Sequence, residues 1–157
     1  MAIINEEKIH GVVFLKILKE IDKRNLDIKV SLFKGVSSSS YILSSNHKTL
    51  GLFIKYSTKR RSPWRYSFHK EHQEEINMLN IDYKNTFVIF VNGDDGILSL
   101  SYSELKNILD ENYEDQEWVA ISRKPRELYR ISGKDGKINR PISSSKFPDG
   151  ILEYLSN

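Results

Sequence analysis

Residues 41–58 read YILSSNHKTLGLFIKYST, and this stretch decides the expected fold of the chain. Its first half predicts a strand near 39–45 and its second half a strand near 49–58, joined by a short polar turn. The second strand is apolar from Leu50 to Ile54 apart from one glycine. Because that pattern is typical of a strand buried on both faces, we expect this strand to lie in the middle of a sheet.

Upstream of the hairpin, the sequence predicts one helix and one strand. Apolar residues recur at helical spacing after Asn5, whose side chain we expect to cap the helix. This apolar stripe consists of Ile9, Val12, Val13, Ile17 and Ile21. Farther along, Ile28, Val30 and Leu32 alternate with polar residues, and this alternation predicts a half-buried strand.

Downstream of the hairpin, the sequence predicts a second helix near 69–80. A strongly apolar strand follows and ends in the Gly-Asp-Asp-Gly turn at 93–96. We then expect a short helix capped by Ser101 or Ser103, and two short strands that flank Lys124. A short helix or turn ends the chain.

Together these elements predict an α/β protein with a three-layer arrangement, in which helices flank a central mixed sheet and a C-terminal strand pair is added. The order over residues 5–92 is helix, three strands, helix and strand, or αβββαβ. We expect residues 1–157 to form a single domain in which 93–157 packs on the 5–92 core, because no linker or repeat divides the sequence.

The composition excludes several classes of protein. The chain contains no cysteine, which excludes disulfides and thiolate chemistry. No apolar run approaches the roughly 20 residues that a membrane-spanning helix needs, and the acidic residues near the N-terminus are unlike a secretion signal. We therefore expect a soluble cytoplasmic protein that does not enter a membrane. The sequence leaves its oligomeric state open.

Charge is distributed unevenly, although the formal net charge is only +3. Residues 55–72 contain six Lys or Arg against one acid, and residues 123–146 contain eight against two. Between them, residues 104–117 contain six acids and one lysine. Clustered basic segments are typical of proteins that bind phosphate-rich partners, whereas the acidic stretch would suit self-association or a protein partner.

The two basic segments supply the candidate nucleic-acid-binding residues. These are Lys55, Lys59, Arg60, Arg61, Arg65, Arg123, Lys124, Arg126 and Arg130. Arg and Lys side chains contact phosphates, and we expect DNA ahead of RNA as the partner. Trp64, Tyr66 and Phe68 have rings that stack on bases in some proteins, but in an extended segment they share one face. We therefore predict that these three rings belong to the core.

The αβββαβ order over residues 5–92 resembles the core of the PD-(D/E)XK nuclease-like superfamily, to which many restriction enzymes and resolvases belong. The resemblance implies that one strand of the hairpin brings an acid and that the next strand brings an acid and a lysine one residue apart. In active members the two carboxylates hold a divalent metal, which polarises the phosphate and activates the attacking water.

Aligned on the apolar third strand, the acid-x-Lys triplet falls on Phe53-Ile54-Lys55, so the lysine is kept and the acid is absent. The strand near 39–45 contains no Asp or Glu either. The resemblance therefore implies a protein that binds nucleic acid or another partner without cutting it and without a cofactor. Lys55 is the retained remnant of the catalytic motif.

Other possible sites have less specific patterns. Five further acid-x-Lys matches carry little weight, because acids and lysines are abundant: Glu6/Lys8, Asp27/Lys29, Asp82/Lys84, Glu104/Lys106 and Asp135/Lys137. His69, Glu71, His72 and Glu75 have a spacing found on many surface helices, so we predict a solvated face and no metal ligands. The turn at 93–96 lacks the later Glu of a calcium loop.

Three functions are compatible with these patterns. The first, which we favour, is a non-catalytic nucleic-acid-binding protein on a degenerate nuclease-like fold. The second is a protein-interaction or inhibitor subunit that docks an acidic partner on the basic segments. The third is a nuclease that depends on Mg²⁺ and takes displaced acids from Glu20 or Asp27.

Overall fold

The computed structural model describes residues 1–35, 37–114 and 117–157. Within these ranges the chain forms four helices and nine strands. In chain order they are α1 Asn5–Lys23, β1 Lys29–Leu32, β2 Ser40–Ser44, β3 Thr49–Ser57, β4 Trp64–Phe68, α2 Lys70–Tyr83, β5 Thr86–Asn92, β6 Gly96–Ser101, α3 Tyr102–Leu105, β7 Glu117–Ser122, β8 Arg130–Gly133, β9 Gly136–Lys137 and α4 Lys146–Ser156. None of these helices is both long and apolar enough to cross a membrane.

The first sheet has five strands in the order β1-β2-β3-β5-β6. Strands β2 and β3 form the predicted antiparallel hairpin, and β3 pairs with β5 in parallel. A parallel pair needs a crossover connection, and helix α2 lies in that connection. The sheet is therefore mixed, β3 is its middle strand as predicted, and helices flank it, which confirms the predicted α/β class.

The second sheet has four antiparallel strands in the order β4-β7-β8-β9. It contains the predicted C-terminal strand pair, β7 and β8, and adds β4 from the first half of the chain. Strand β4 belongs to the segment 5–92 but lies in the second sheet, whereas β6 belongs to the segment 93–157 but extends the first sheet. The two sheets therefore do not correspond to these two segments of the chain. In β4 the residues Trp64, Tyr66 and Phe68 are buried, which confirms their predicted place in the core.

The two faces of β3 contribute to two different clusters of buried side chains. Leu52 and Ile54 pack with α1 and α4 on one face of the first sheet. Phe53 packs with α2 and with the buried face of the second sheet. Because successive side chains of a strand point to opposite faces, Lys55 lies on the same side as Phe53, next to Phe68 of the second sheet.

Three predicted details near the N-terminus are wrong. Helix α1 is capped by Ile4 rather than by Asn5, and the Glu7 side chain accepts a hydrogen bond from the Ile4 backbone N–H at 3.0 Å. Val12, a member of the predicted apolar stripe of α1, is 45 % exposed. Val30 and Leu32 are also exposed because β1 is an edge strand, and the buried cluster beneath α1 does not extend to its residues.

Candidate functional site

Two loops, together with the turn between β5 and β6, form a surface groove of about 590 Å³. One loop joins β3 to β4 and the other follows β7. The lining residues are Arg60, Arg61, Ser62, Trp64, Asp95, Arg123, Lys124 and Pro125. We call this feature the basic groove, and it brings together residues from both basic segments of the sequence.

The first wall of the basic groove is fixed by the turn after β5. Gly93 has a positive φ of 53°, and a Cβ atom there would lie only 2.2 Å from the Lys59 carbonyl oxygen. The Gly93 N–H donates to the Ser57 carbonyl at 2.9 Å, and the indole N–H of Trp64 donates to the Lys59 carbonyl at 2.9 Å. The loop carrying Arg60 and Arg61 is therefore held by backbone contacts that only a glycine at position 93 allows.

The second wall is joined to the first by hydrogen bonds. The Arg123 backbone N–H donates to the Ser62 hydroxyl oxygen at 3.1 Å. The Arg123 guanidinium donates from Nε to Oδ2 of Asp95 at 2.6 Å, and that oxygen also accepts the Tyr129 hydroxyl at 2.8 Å. The guanidinium lies 4.5 Å from the centre of the Tyr129 ring. Burial, together with the nearby Asp95 carboxylate, raises the pKa of Tyr129 to about 12, so its hydroxyl stays a donor. Arg123 is thus a paired charge that holds the groove together.

Three other cations of the groove are exposed. Arg60, Arg61 and Lys124 form no ion pair with any carboxylate in the described part of the chain. Arg126 and Arg130 line a different cavity of about 280 Å³ together with Glu127. The basic groove therefore presents positive charge that the protein itself does not neutralise.

The remaining candidate residues lie outside the groove. The Lys59 ammonium donates to the Pro63 carbonyl at 2.8 Å and so ties its own loop together. Arg65 is exposed on β4 and lies 4.8 Å from the centre of the Trp118 ring. Of the nine predicted residues, the structure thus gathers Arg60, Arg61, Arg123 and Lys124 around one groove.

Lys55 occupies a separate, half-buried place between β3, β4 and α2. Its ammonium donates to the Ser67 carbonyl, lies 3.3 Å from Nδ1 of His72 and stands 4.5 Å from the centre of the Phe68 ring. Burial lowers the pKa of Lys55 to about 8. Burial, and then repulsion by Lys55 and His69, lowers the pKa of His72. The Lys55 ammonium therefore makes its contacts with other residues of the protein, on β4 and α2.

The structure does not bring Glu20 or Asp27 to Lys55. Phe53 is paired with Ser40 on the neighbouring strand, so neither position of the expected acid pair carries a carboxylate. Glu20 lies on α1, which packs on the opposite face of the sheet, and forms an ion pair with Arg24 at 3.4 Å. Asp27 is exposed between α1 and β1.

The predicted solvated face of α2 is wrong for Glu75. This side chain is only 3 % exposed, because the serine-rich loop before β2 folds over it. Its carboxylate accepts the Ser37 N–H at 2.8 Å and the Ser40 hydroxyl at 2.6 Å. His72 is half-buried against Lys55, whereas His69 and Glu71 are exposed as predicted.

Sequence reasoning missed the residues that organise the groove. Asp95 stood out only as part of a strand-ending turn, and Ser62 and Tyr129 carried no signal. The high density of Gly and Asp at 92–96 was the one available hint, since such turns are frequent anchoring points for side chains from other loops. The roles of Ser62, Asp95 and Tyr129 depend on contacts between residues that are far apart in the chain.

Comparisons with known proteins give no relative on which to base an assignment. No family model, no curated protein and no solved structure matches the chain. The nuclease-like order of elements over residues 5–92 therefore stays a resemblance, and the function has to be argued from the site.

Proposed function

We propose that the chain binds nucleic acid through the basic groove and does not cleave it. The observation that carries this proposal is the meeting of two basic segments on one surface. Ser62 and Arg123, which join the two walls, are 61 positions apart in the sequence. Segments this distant meet only through the tertiary fold, so a continuous positive surface supports a binding role.

The cations of the groove are suited to phosphate oxygens. Arg60, Arg61 and Lys124 are exposed, and no carboxylate among the described residues neutralises them. A guanidinium offers parallel N–H donors that match two phosphate oxygens, and an ammonium acts as a point charge. The Arg123 charge is paired with Asp95, so Arg123 forms part of the groove wall and does not add an unpaired charge.

The groove favours contacts to the backbone of the nucleic acid over contacts to its bases. Among the described lining residues the one aromatic is Trp64, which is 1 % exposed and whose indole N–H already donates to the Lys59 carbonyl. A ring buried in this way cannot stack on a base. We therefore expect binding with little sequence preference, because phosphate contacts carry no sequence information directly.

Cleavage is not expected, because neither strand position of the nuclease motif carries a carboxylate, and the nearby Glu75 carboxylate already accepts hydrogen bonds from Ser37 and Ser40. Phe53 and Ser40 stand side by side where two acids would hold the metal, and Lys55 is bonded to Ser67. Lys55 also lies on β3, outside the lining of the basic groove.

The test is a titration of binding against salt, using duplex and single-stranded DNA and RNA of the same length. With three free cations we expect log K to fall against log salt with a slope of about −2.7 for duplex DNA, or roughly 40-fold between 50 and 200 mM salt. The triple variant R60Q/R61Q/K124Q should bind weakly and with a nearly flat salt dependence. A parallel incubation with Mg²⁺ or Mn²⁺ should leave the nucleic acid intact.

The matched control is K8Q/K19Q/K29Q, which removes the same charge from exposed positions of α1 and β1. This control should keep most of the affinity and the salt slope of the natural protein. Equal losses in both triple variants would mean that net charge alone drives binding, and they would refute a specific groove.

A second candidate function is the docking of an acidic protein partner in the same groove. It is favoured by the absence of an exposed aromatic ring among the described lining residues, since carboxylates need no stacking surface. Affinity capture from extract treated with DNase and RNase separates the two functions. A partner that is retained there and lost with R60Q/R61Q/K124Q would support the second function.

A further inference from the structure

Three carboxylates meet at the end of the second sheet that lies away from the basic groove. They belong to Asp110, Glu117 and Asp135, and one oxygen of each lies within 4.8 Å of the others. Asp110 follows the turn after α3, Glu117 begins β7, and Asp135 lies in the turn between β8 and β9. Three separate segments of the chain therefore contribute one acid each.

Backbone contacts hold the hairpin of β8 and β9 against the turn after α3. A Cβ atom at Gly133 would lie 2.4 Å from the Ile108 carbonyl oxygen, so only glycine allows this approach. The Asp135 N–H donates to the Ile108 carbonyl at 3.0 Å, and Oδ2 of Asp135 accepts the Asp110 N–H at 2.9 Å. The Asp135 carboxylate is thereby fixed in position and aimed at the other two acids.

Glu117 provides an observation that is independent of this clustering. Its side chain is 2 % exposed, and Oε2 accepts a hydrogen bond from the side-chain amide of Gln73. Oε1 is fully buried, and no N–H or O–H group in the described part of the chain donates to it; a further close neighbour of the Glu117 carboxylate is the Asp135 carboxylate. Oε1 of Gln73, a residue outside the acidic cluster, is also buried and accepts no hydrogen bond from the residues that the structure describes. A buried carboxylate oxygen beside two further carboxylates is unfavourable unless a positive charge faces it. The Lys106 ammonium attracts Glu117 and Asp110, but among the described residues it forms no ion pair with either of them.

We propose that Asp110, Glu117 and Asp135 bind a hard divalent cation of the Ca²⁺ class. The ligands are all carboxylate oxygens, which Ca²⁺ prefers. Ca²⁺–oxygen distances of roughly 2.3–2.6 Å allow two ligands of one ion to be separated by up to about 5 Å. None of the separations here exceeds 4.8 Å, so small side-chain adjustments bring the three carboxylates within reach of one ion. The side-chain amide of Gln73 orients the Glu117 carboxylate by donating a hydrogen bond to its Oε2.

This site is independent of the proposed nucleic-acid function. Glu117 begins β7, and Arg123 of the basic groove follows the end of that strand. At about 3.4 Å per residue the two positions are roughly 20 Å apart, so the ion would not contact a phosphate in the groove. Its role is to join three segments that otherwise repel one another.

The test uses Tb³⁺, a luminescent substitute for Ca²⁺, with the full chain and no nucleic acid. Tyr113, which interacts electrostatically with Glu117, is near enough to the cluster to sensitise the emission of an ion there. We expect saturable Tb³⁺ luminescence that Ca²⁺ competes away. Relative to a sample in EDTA, Ca²⁺ at 100 times its Kd should raise the Tm by about 5–10 °C.

The variant E117Q separates a cation site from a mere acidic cluster. It should lose the luminescence and the Ca²⁺-dependent rise in Tm, while its Tm in EDTA equals or exceeds that of the natural protein because a buried charge is gone. E111Q, an equal change of charge at an exposed neighbour outside the cluster, should keep both responses. D135N, at an exposed position, serves if E117Q does not fold.

Two outcomes would overturn the proposal. One is a protein whose Tm does not respond to Ca²⁺ at millimolar concentration, which would mean that Glu117 is satisfied by a proton shared with a neighbouring acid. The other is Tb³⁺ luminescence that survives in both E117Q and D135N. Neither outcome bears on the salt titration with nucleic acid, so the two proposals fail separately.

Discussion

The ammonium nitrogen of Lys55 lies 3.3 Å from Nδ1 of His72, on the face of β3 that carries Phe53. The Lys55 ammonium can donate to Nδ1 only when His72 is neutral and carries its proton on Nε2. The lysine also donates to the Ser67 carbonyl. The residue that the resemblance marks as a catalytic remnant therefore connects β3, β4 and α2.

Replacing Lys55 with methionine should raise the pKa of His72. After burial, the charge of Lys55 is the largest contribution that lowers this pKa, and methionine removes the charge while keeping an unbranched chain of similar length. Titration of the histidine ring signals by NMR measures the change. K59M is the control, because Lys59 bonds to Pro63 and not to the histidine. An unchanged His72 pKa in K55M would show that the two groups are not in contact in solution.

Lys55 should also make stability depend on pH in the alkaline range. Its folded pKa is about 8, lowered by burial from 10.5. Between these values the unfolded chain binds the extra proton, so the free energy of unfolding rises with pH, and the cost of burying the charge is fully present below pH 8. We expect the wild-type free energy to gain about 2–3 kcal/mol relative to K55M between pH 7.5 and 10.5.

Urea unfolding of both proteins across this range measures the difference. Tyrosines with a raised pKa act in the opposite direction above pH 10, but they are common to both proteins and cancel in the comparison. A constant or falling difference between wild type and K55M would contradict the buried position of the ammonium.

Much of the fold was predictable because its signals are local. The hairpin of β2 and β3 and the buried face of β4 follow from alternation within a few residues. The exposure of Val30 was not predictable in this way. Alternation shows that a strand has two different faces, but the position of β1 at the edge of the sheet decides whether a layer covers either of them.

The basic residues of the groove were predictable from the sequence, but their meeting on one surface was not. The sequence marked Arg60, Arg61 and Lys124 as basic, yet their meeting depends on the pairing of β4 with β7, in which Trp64 stands opposite Ile121. Such pairing is non-local, and nothing near either segment specifies it. Glu117 illustrates the same point, since only the tertiary fold brings Asp110 and Asp135 to it.

Asp95 should limit the affinity of the groove while it stabilises the protein. Its carboxylate accepts from Arg123 and Tyr129, and it is the one acid among the described lining residues. D95N removes the negative charge that neutralises the Arg123 guanidinium, while the hydrogen bond from Arg123 to the backbone carbonyl of residue 95 remains, so nucleic-acid affinity should rise several-fold at low salt. Loss of charge-assisted hydrogen bonds should lower the free energy of unfolding by about 1–2 kcal/mol.

Binding titrations and urea unfolding of D95N test the two effects together. D94N, in the same turn but outside the groove lining, is the matched control and should change both quantities little. A fall in affinity for D95N would mean that Asp95 acts by placing Arg123 on the ligand, and it would reverse the assigned role of that pair.

Gly93 should be the most sensitive position in the walls of the groove. Its φ of 53° is strained for other residues, and a Cβ atom would lie 2.2 Å from the Lys59 carbonyl. G93A should therefore lower the free energy of unfolding by about 2–4 kcal/mol, and it should reduce nucleic-acid affinity because the loop with Arg60 and Arg61 is displaced.

The matched control for G93A is G11A, at a helical position of α1 where a Cβ atom meets nothing within 4 Å. Alanine favours the helix, so G11A should stabilise the protein by about 0.5–1 kcal/mol and leave affinity unchanged. Thermal unfolding and salt-titrated binding of both variants give the comparison. If G93A lost stability but bound nucleic acid with the affinity and salt slope of the natural protein, the loop that Gly93 supports would not be part of the binding surface.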